Sequence, residues 1–451
     1  MTGALSLSGL ALCASIIFLV PLLVAPSYVA RYGAVTLPYT SIATLLCLII
    51  AVVAGFIISK AGSHGKFLLN LFIGALLIRM LVGSAIFVAN AQGFFGGDAF
   101  TYDWFGYFQL RGWGGDKYSQ IKASTFVGTA GAGWGMIYYV AAVYWLIGRN
   151  MLAVQLLNAV MGAATAPIIF LCAQAVFENT KVSRLAALAA AFTPSLVLWS
   201  SQGLKDGPIM FFLALAILST LRLAERFRMT YLLTLASALF CVLAFRFYVF
   251  YMMVVAVSGA LLIGIRPVTG ANLIRQFGVM IVIGLSLTYF GVTRYASMHF
   301  ESYGSLEAVQ QSRTDAAQSA RSGYAKDIDV STSSGALKAI PIGLAYLLFG
   351  PFPWQLGSLR QSLTVPEMLV WWASFPLLVL GLWYSIRYRL RQICPILIFT
   401  VMLTLAYSVF EGNVGNAYRQ RAQLLVFYFI FVAVGYVLMR ERKQDMALGD
   451  P

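Results

Sequence analysis

The sequence predicts an all-α polytopic membrane protein with about twelve transmembrane helices plus re-entrant or juxtamembrane helices, and three observations predict it. Of 451 residues, 60% are apolar and only 10% charged, against roughly 25% charged in soluble domains. A chain with so little charge cannot cover itself in water, so its solvent is largely lipid. The apolar residues fall in repeated runs close to the roughly 20 residues that cross a bilayer. The positive charges gather in short loops between those runs, as cytoplasmic loops do.

The spanning runs lie near 5–25, 41–59, 67–90, 150–176, 185–200, 207–222, 230–245, 248–264, 277–292, 366–385, 393–409 and 421–439. The first lacks a small-residue cleavage site after it and reads as a retained helix rather than a removed signal. Two shorter runs, 134–147 and 338–350, read as re-entrant or interfacial helices. If these two do not span, the loops carrying Lys60, Lys66, Lys181, Arg184, the Arg222–Arg228 cluster, Arg266, Arg275, Arg387, Arg389, Arg391, Arg440, Arg442 and Lys443 share one side. That side is the cytoplasm by the positive-inside rule. Eleven of the 16 acids fall on the opposite, outer side. The whole chain, 1–451, reads as one integral membrane domain with two long outer loops, 91–133 and 293–337. Within the second, Leu306 to Ala320 is rich in helix formers and predicts a surface helix.

The net charge of +15 sits mainly beside apolar helices, which points to anionic membrane lipid rather than nucleic acid. The five cysteines, Cys13, Cys47, Cys172, Cys241 and Cys394, lie singly in apolar stretches and read as small core hydrophobes. With His64 and His299 the only histidines, a histidine-rich metal site is excluded.

Chemistry is expected at four places. The first outer loop holds Asp98 and Asp103 among Phe100, Tyr102 and Trp104. A carboxylate beside apolar surface can serve as a base, and a solvated loop with an interfacial aromatic belt is the plainer reading. The turn from Pro194 to Pro208 ends in Lys205-Asp206. Asp206 and Pro208 suit a helix start, whereas a lysine there opposes the helix dipole. Arg79 and Arg246 interrupt apolar runs, where an arginine costs at least about 2.5 kcal/mol and faces a polar cavity or partner by default. Finally Arg419 and Arg421, and upstream Arg360 after Gly350-Pro351-Phe352-Pro353-Trp354, are outward arginines against the positive-inside bias. They suit a lipid-linked phosphate or simple headgroup anchoring.

In order along the chain, four features resemble the GT-C membrane glycosyltransferases, in particular the branch of protein O-mannosyltransferases and lipid A aminoarabinose transferases. They are Asp98-Ala99-Phe100-Thr101-Tyr102 after an early helix, the small-residue helix Leu157-Asn158-Ala159-Val160-Met161-Gly162-Ala163, Pro194-Ser195 leading to Lys205-Asp206, and Arg419 with Arg421. The closest likeness covers roughly 90–225. Many members carry a second acid directly after the loop aspartate, where this chain has Ala99, so the base stays open between Asp98 and Asp103.

The resemblance implies a GT-C-like inverting transferase in the cytoplasmic membrane, with its active site on the outer face. Its donor is a polyprenyl-phosphate sugar and its acceptor a glycan, lipid or protein. Asp98 or Asp103 takes the acceptor proton, and Lys205, Arg246, Arg419 and Arg421 meet the donor phosphate. Asp206, Arg79 and Arg360 are further candidates. No cofactor is required, and a divalent metal is compatible. Two alternatives remain at this stage. One is a polysaccharide polymerase or ligase, favoured if loop 293–337 holds the essential residues. The other is a lipid or glycan transporter, which predicts ionisable groups along a path and inverted repeats.

Overall fold

A computed structural model describes residues 37–129, 134–263, 305–318 and 322–448. The runs expected over 5–25 and 277–292 lie outside the described residues, as do Arg266 and Arg275. Among the described residues the chain is helical, and the one strand-like pairing is an isolated bridge between Gly323 and Asn413. Six of these helices are long and apolar enough to cross a membrane, or seven if a bent pair counts as one span, and four shorter apolar helices accompany them. The protein is thus an all-α, multi-pass membrane protein.

The described helices are α1 (Leu37–Ser59), α2 (Gly65–Val88), α3 (Asp98–Trp113), α4 (Lys117–Thr129), α5 (Trp134–Ile147), α6 (Met151–Phe177), α7 (Thr180–Phe192), α8 (Pro194–Ser200), α9 (Asp206–Glu225), α10 (Met229–Phe245), α11 (Phe247–Ile263), α12 (Leu306–Gln318), α13 (Ser333–Phe349), α14 (Leu359–Ser362), α15 (Val365–Phe410) and α16 (Val414–Leu448). They sort into two compact units. One comprises Met1–Phe170, Ala187–Ala214 and Cys241–Phe247; the other comprises Leu171–Ala186, Leu215–Phe240 and Tyr248–Pro451.

In the first unit α1 turns its apolar side outward. Leu45, Ile49, Val52, Val53, Phe56 and Ile57 are all exposed, which is stable only if the solvent is hydrocarbon. Helix α6 is the opposite case, with 89% of its apolar window buried. Close approach in this unit relies on missing side chains. A Cβ on Gly106 of α3 would stand 2.4 Å from Val140 of α5, and one on Gly135 of α5 would meet Ala244 at 2.7 Å. Small residues that let helix backbones approach are the usual device of membrane packing.

Two expectations differ from the structure here. Residues 91–133, expected as a loop, contain helices α3 and α4. The run 185–200, expected as one span, is broken into α7 and α8, which meet at 54°. The cause is Pro194, which has no N–H to continue the ladder and whose ring clashes with the preceding turn.

In the second unit α15 is 46 residues long with a non-helical residue, Arg389 (φ −133°, ψ 23°), near its middle. Straight, its Trp371 and Thr404 would be about 50 Å apart at 1.5 Å per residue. Yet Trp371 stacks on Tyr428 of α16, and Thr404 shares a hydrogen bond with the same tyrosine's hydroxyl. The two halves therefore fold back beside each other at Arg389. They correspond to the spans expected over 366–385 and 393–409, with Arg387, Arg389 and Arg391 at the turn. Gly381 and Gly435 seal this bundle, since a Cβ on either would strike the backbone oxygen of Phe431 or Leu377. Helix α12 falls where the sequence predicts a surface helix.

Candidate active site

The chain enters α3 through two glycines of positive φ, Gly96 (129°) and Gly97 (79°), a conformation that side chains other than hydrogen resist. This sharp entry sets Asp98 in the first turn of α3, half-buried, with its carboxylate at the positive end of the helix. The next residue, Ala99, is 2% exposed and packs on the Ser201–Lys205 turn: a Cβ built on Gly203 would lie 3.9 Å from that of Ala99. An acid in place of Ala99 would be buried against backbone, a physical reason for alanine at this position.

The turn that Ala99 touches is held from α6. Asn158 Nδ2 donates to the carbonyls of Gln202 and Leu204, both at 2.7 Å. Its end starts α9 at Asp206, which is fully buried and paired with Arg246 (Nη2 to Oδ1, 3.3 Å), itself 3% exposed. Arg246 stands at the break between α10 and α11. Lys205, one residue before Asp206, is half-buried. In the first unit, then, Asp206 pairs with Arg246, and Ala99, the neighbour of Asp98, lies near Gly203 two residues before Lys205. Beside them Gln155, fully buried on α6, has its Cγ 4.0 Å from the position of a Gly203 Cβ. Among the described residues, neither atom of its amide has a hydrogen-bond partner. Such orphaned groups are rare in native interiors and call for an explanation such as water or a ligand.

Asp103 has a different setting. It is 7% exposed and accepts from the hydroxyl of Tyr144 at 2.5 Å and from Arg149. The Arg149 guanidinium is in turn sandwiched by Tyr107 at 4.6 Å and Trp104 at 5.3 Å. This arrangement ties α3 to α5 and to the turn after it. Arg149 escaped the sequence reading; its signal was its place between two apolar runs beside Gly148.

Arg79 is 1% exposed and spends its guanidinium on the break between α7 and α8. It donates to the carbonyls of Ala191 (2.7 Å), Ala190 (3.4 Å) and Ala75 (3.0 Å), and to Ser200 Oγ (2.8 Å). The last carbonyls of a helix lack intrahelical partners, and a cation complements the helix dipole there. Space for this comes from Gly162 of α6, where a Cβ would fall 2.4 Å from Ser200 and 3.0 Å from Arg79 Nε.

The same device recurs twice in the second unit. Arg421, 1% exposed, donates to the carbonyls of Leu348 (3.1 Å) and Gly350 (3.0 Å) at the end of α13 and packs over Tyr418. Arg313 of α12, which the sequence reading did not single out, donates to the carbonyls of Val409 and Glu411, both at 2.9 Å, at the end of α15. Burial holds the Arg313 guanidinium below its ordinary value, opposed by the Tyr324 and Glu411 charges. Arg419, two residues before Arg421, is half-buried, and Arg360 on α14 is exposed.

The described residues contain no group of three His, Cys, Asp or Glu side chains placed to hold a metal ion. Of the three acids in residues 91–133, Asp103 is paired with Arg149 and Asp116 with Arg111.

Residues 135–292, about a third of the chain, match the family model described as dolichyl-phosphate-mannose-protein mannosyltransferase. The match takes in the Asn158 helix, the Lys205-Asp206 turn and Arg246, three parts of the geometry above. Over those residues the chain is similar to the dolichyl-phosphate-mannose-protein mannosyltransferases, in line with the resemblance that its ordered motifs carry. Among solved structures the chain is similar to the archaeal oligosaccharyltransferase AglB from Archaeoglobus fulgidus, in complex with an inhibitory peptide and a dolichol-phosphate. The identity is 12% and the TM-score 0.42, over 70% of this chain and 44% of that one. The chain therefore spans less than half the length of that structure. No curated protein matches the sequence.

Proposed function

We propose that this protein transfers a sugar from a polyprenyl-phosphate donor to an acceptor hydroxyl at the outer face of the cytoplasmic membrane. The observation that supports it most is the packing of the Asp98 helix start against the turn ending in Lys205-Asp206, inside a segment partly covered by the mannosyltransferase match. The acceptor is a glycan, lipid or protein hydroxyl.

In this reading Asp98 is the general base. Asp103 is already committed to Tyr144 and Arg149, whereas Asp98 is half-buried at a helix start. As the acceptor oxygen bonds to the anomeric carbon, its proton passes to the Asp98 carboxylate, while the bond from that carbon to the phosphate oxygen breaks. The polyprenyl phosphate leaves with the electron pair. A positioned base contributes typically 10²–10⁴-fold. A single displacement inverts the anomeric centre.

The charge growing on the leaving phosphate needs a preorganised cation. Lys205 suits this role, because it stands one residue before the buried Asp206–Arg246 pair, which fixes the adjacent backbone. Arg246 acts mainly through Asp206 in this account. In the second unit Arg421 is spent on carbonyls, which suits a structural role. Arg360 beside exposed Trp354, Leu359 and Leu363 suits headgroup anchoring.

Mass spectrometry of cell-surface glycans with and without the gene tests this directly. A sugar residue lost without the gene, and restored by wild type but not by Asp98→Asn, is the expected result. An unchanged glycan profile together with altered lipid distribution across the membrane would return the transporter alternative.

A further inference from the structure

A different feature stands on the loop between α9 and α10. Arg222, Glu225, Arg226, Arg228 and Tyr231 line a recess of about 290 Å³, all of them in the second unit. Small-molecule pockets start at roughly this size, about 300 Å³, so the recess admits a headgroup and not a whole lipid.

Three arginines face one glutamate, which leaves a net charge of +2. Glu225 is bound to Arg222 at 2.9 Å, so its carboxylate is neutralised where an anion would enter. Arg226 and Arg228 are exposed. A lone basic loop would be accounted for by orientation of the chain alone. This one adds a concavity, a tyrosine, and two exposed apolar side chains, Phe227 (43%) and Met229 (64%), interleaved with the arginines. Both flanking helices are apolar, which sets the loop at the level where headgroups lie. Guanidinium groups grip phosphate oxygens in pairs, while Phe227 and Met229 suit the acyl side of the boundary.

We propose that this recess is a seat for the phosphate of an anionic phospholipid of the bilayer, bound by Arg226 and Arg228 with Arg222 behind them. The lipid is held as a structural ligand, separate from the donor used in transfer.

The test uses the full-length protein purified in mild detergent. Native mass spectrometry counts retained phosphatidylglycerol in wild type, Arg226→Gln/Arg228→Gln and Arg226→Lys/Arg228→Lys. Each basic residue near a membrane surface contributes enough that losing two weakens binding about thirtyfold. The expected result is a retained lipid on wild type, none on the glutamine variant, and a reduced level on the lysine variant, which keeps charge but loses the paired hydrogen bonds. Thermal melting in nanodiscs provides the second arm. Wild type should rise in melting temperature as phosphatidylglycerol replaces phosphatidylcholine, and the glutamine variant should stay flat, with sugar transfer unchanged in both. Equal retention by wild type and the glutamine variant would overturn the proposal. So would a full stabilisation by millimolar inorganic phosphate in neutral lipid, which would make the ligand a soluble anion.

Discussion

The two acids of α3, Asp98 and Asp103, sit five residues apart and meet opposite surroundings. Asp103 is enclosed by Tyr144 and Arg149, so Asp103→Asn removes a charge partner from a guanidinium already sandwiched by aromatic rings. Breaking a buried pair costs about 3–5 kcal/mol, and less where one partner is partly exposed, as Arg149 is at 24%. The expected outcome is a melting temperature lowered by several degrees, with activity recovered at low temperature. Asp98→Asn should keep the protein folded, with a smaller drop in melting temperature than Asp103→Asn. Composition and spacing could not separate the two residues, because both read as acids among aromatics. The distinction depends on Arg149, which is 46 positions away from Asp103 in the chain. Gly162 gives a second residue-scale test. Its Cβ would collide with Ser200, so Gly162→Ala should cost about 1–3 kcal/mol through overpacking and reduce transfer although no chemical group is lost. Unfolding midpoints and turnover measured side by side would show both effects.

At the scale of elements, three apolar helices, α7, α13 and α15, end against a buried arginine instead of water. Arg79, Arg421 and Arg313 each satisfy carbonyls that a helix end leaves open. Hydrogen bonds to a charged group contribute roughly 1.5–3 kcal/mol each, so Arg421→Gln should lower thermal stability while leaving the donor KM of the folded fraction near wild type. A raised KM with unchanged melting would return Arg421 to the phosphate. The sequence marked Arg79 and Arg421 as costly arginines in apolar surroundings, yet the same signal suits a ligand or a carbonyl. Only the break at Pro194 and the end at Gly350 decide between them. Arg313 was hidden because its helix is polar.

Most long apolar runs within the described residues were legible, since length and composition determine a span, whereas 185–200 breaks at Pro194. The helices α3 and α4 were not, because their boundaries are glycines and their faces lack a clear apolar stripe. Tertiary contact at Gly106 completes them. Helix α4 begins at Asp116, whose carboxylate accepts from Tyr118 N and Ser119 N and from the Ser119 hydroxyl. The Ser119 hydrogen bond, with help from Arg111, holds the Asp116 carboxyl below its ordinary value. A lowered folded pKa makes this contribution complete above the unfolded value, near 3.9, and lost as pH falls through the folded one. Amide exchange at Tyr118 and Ser119 should therefore quicken only at strongly acidic pH, and Asp116→Ala should remove that dependence.

For the molecule as a whole, the charge pattern of the loops predicts an orientation that can be measured. With the α9–α10 loop in the cytoplasm, a cysteine at Lys122 should react with a membrane-impermeant thiol reagent added to intact cells. One at Phe227 should react only after permeabilisation, and the reverse pattern would invert the topology. The motifs in order resemble the GT-C transferases, and a family match over residues 135–292 agrees with that resemblance. What no linear reading supplies is how Ala99 meets Gly203 across 104 positions of chain, which is the contact that joins the acid to the Lys205 turn. The most direct test is a single-turnover assay of purified wild type, Asp98→Asn and Asp103→Asn with the polyprenyl-phosphate donor identified from the missing surface sugar. The account predicts that Asp98→Asn binds donor like wild type but transfers sugar about 10²–10⁴-fold more slowly, while folded Asp103→Asn transfers it at a rate near wild type. Transfer by Asp98→Asn at the wild-type rate would contradict it.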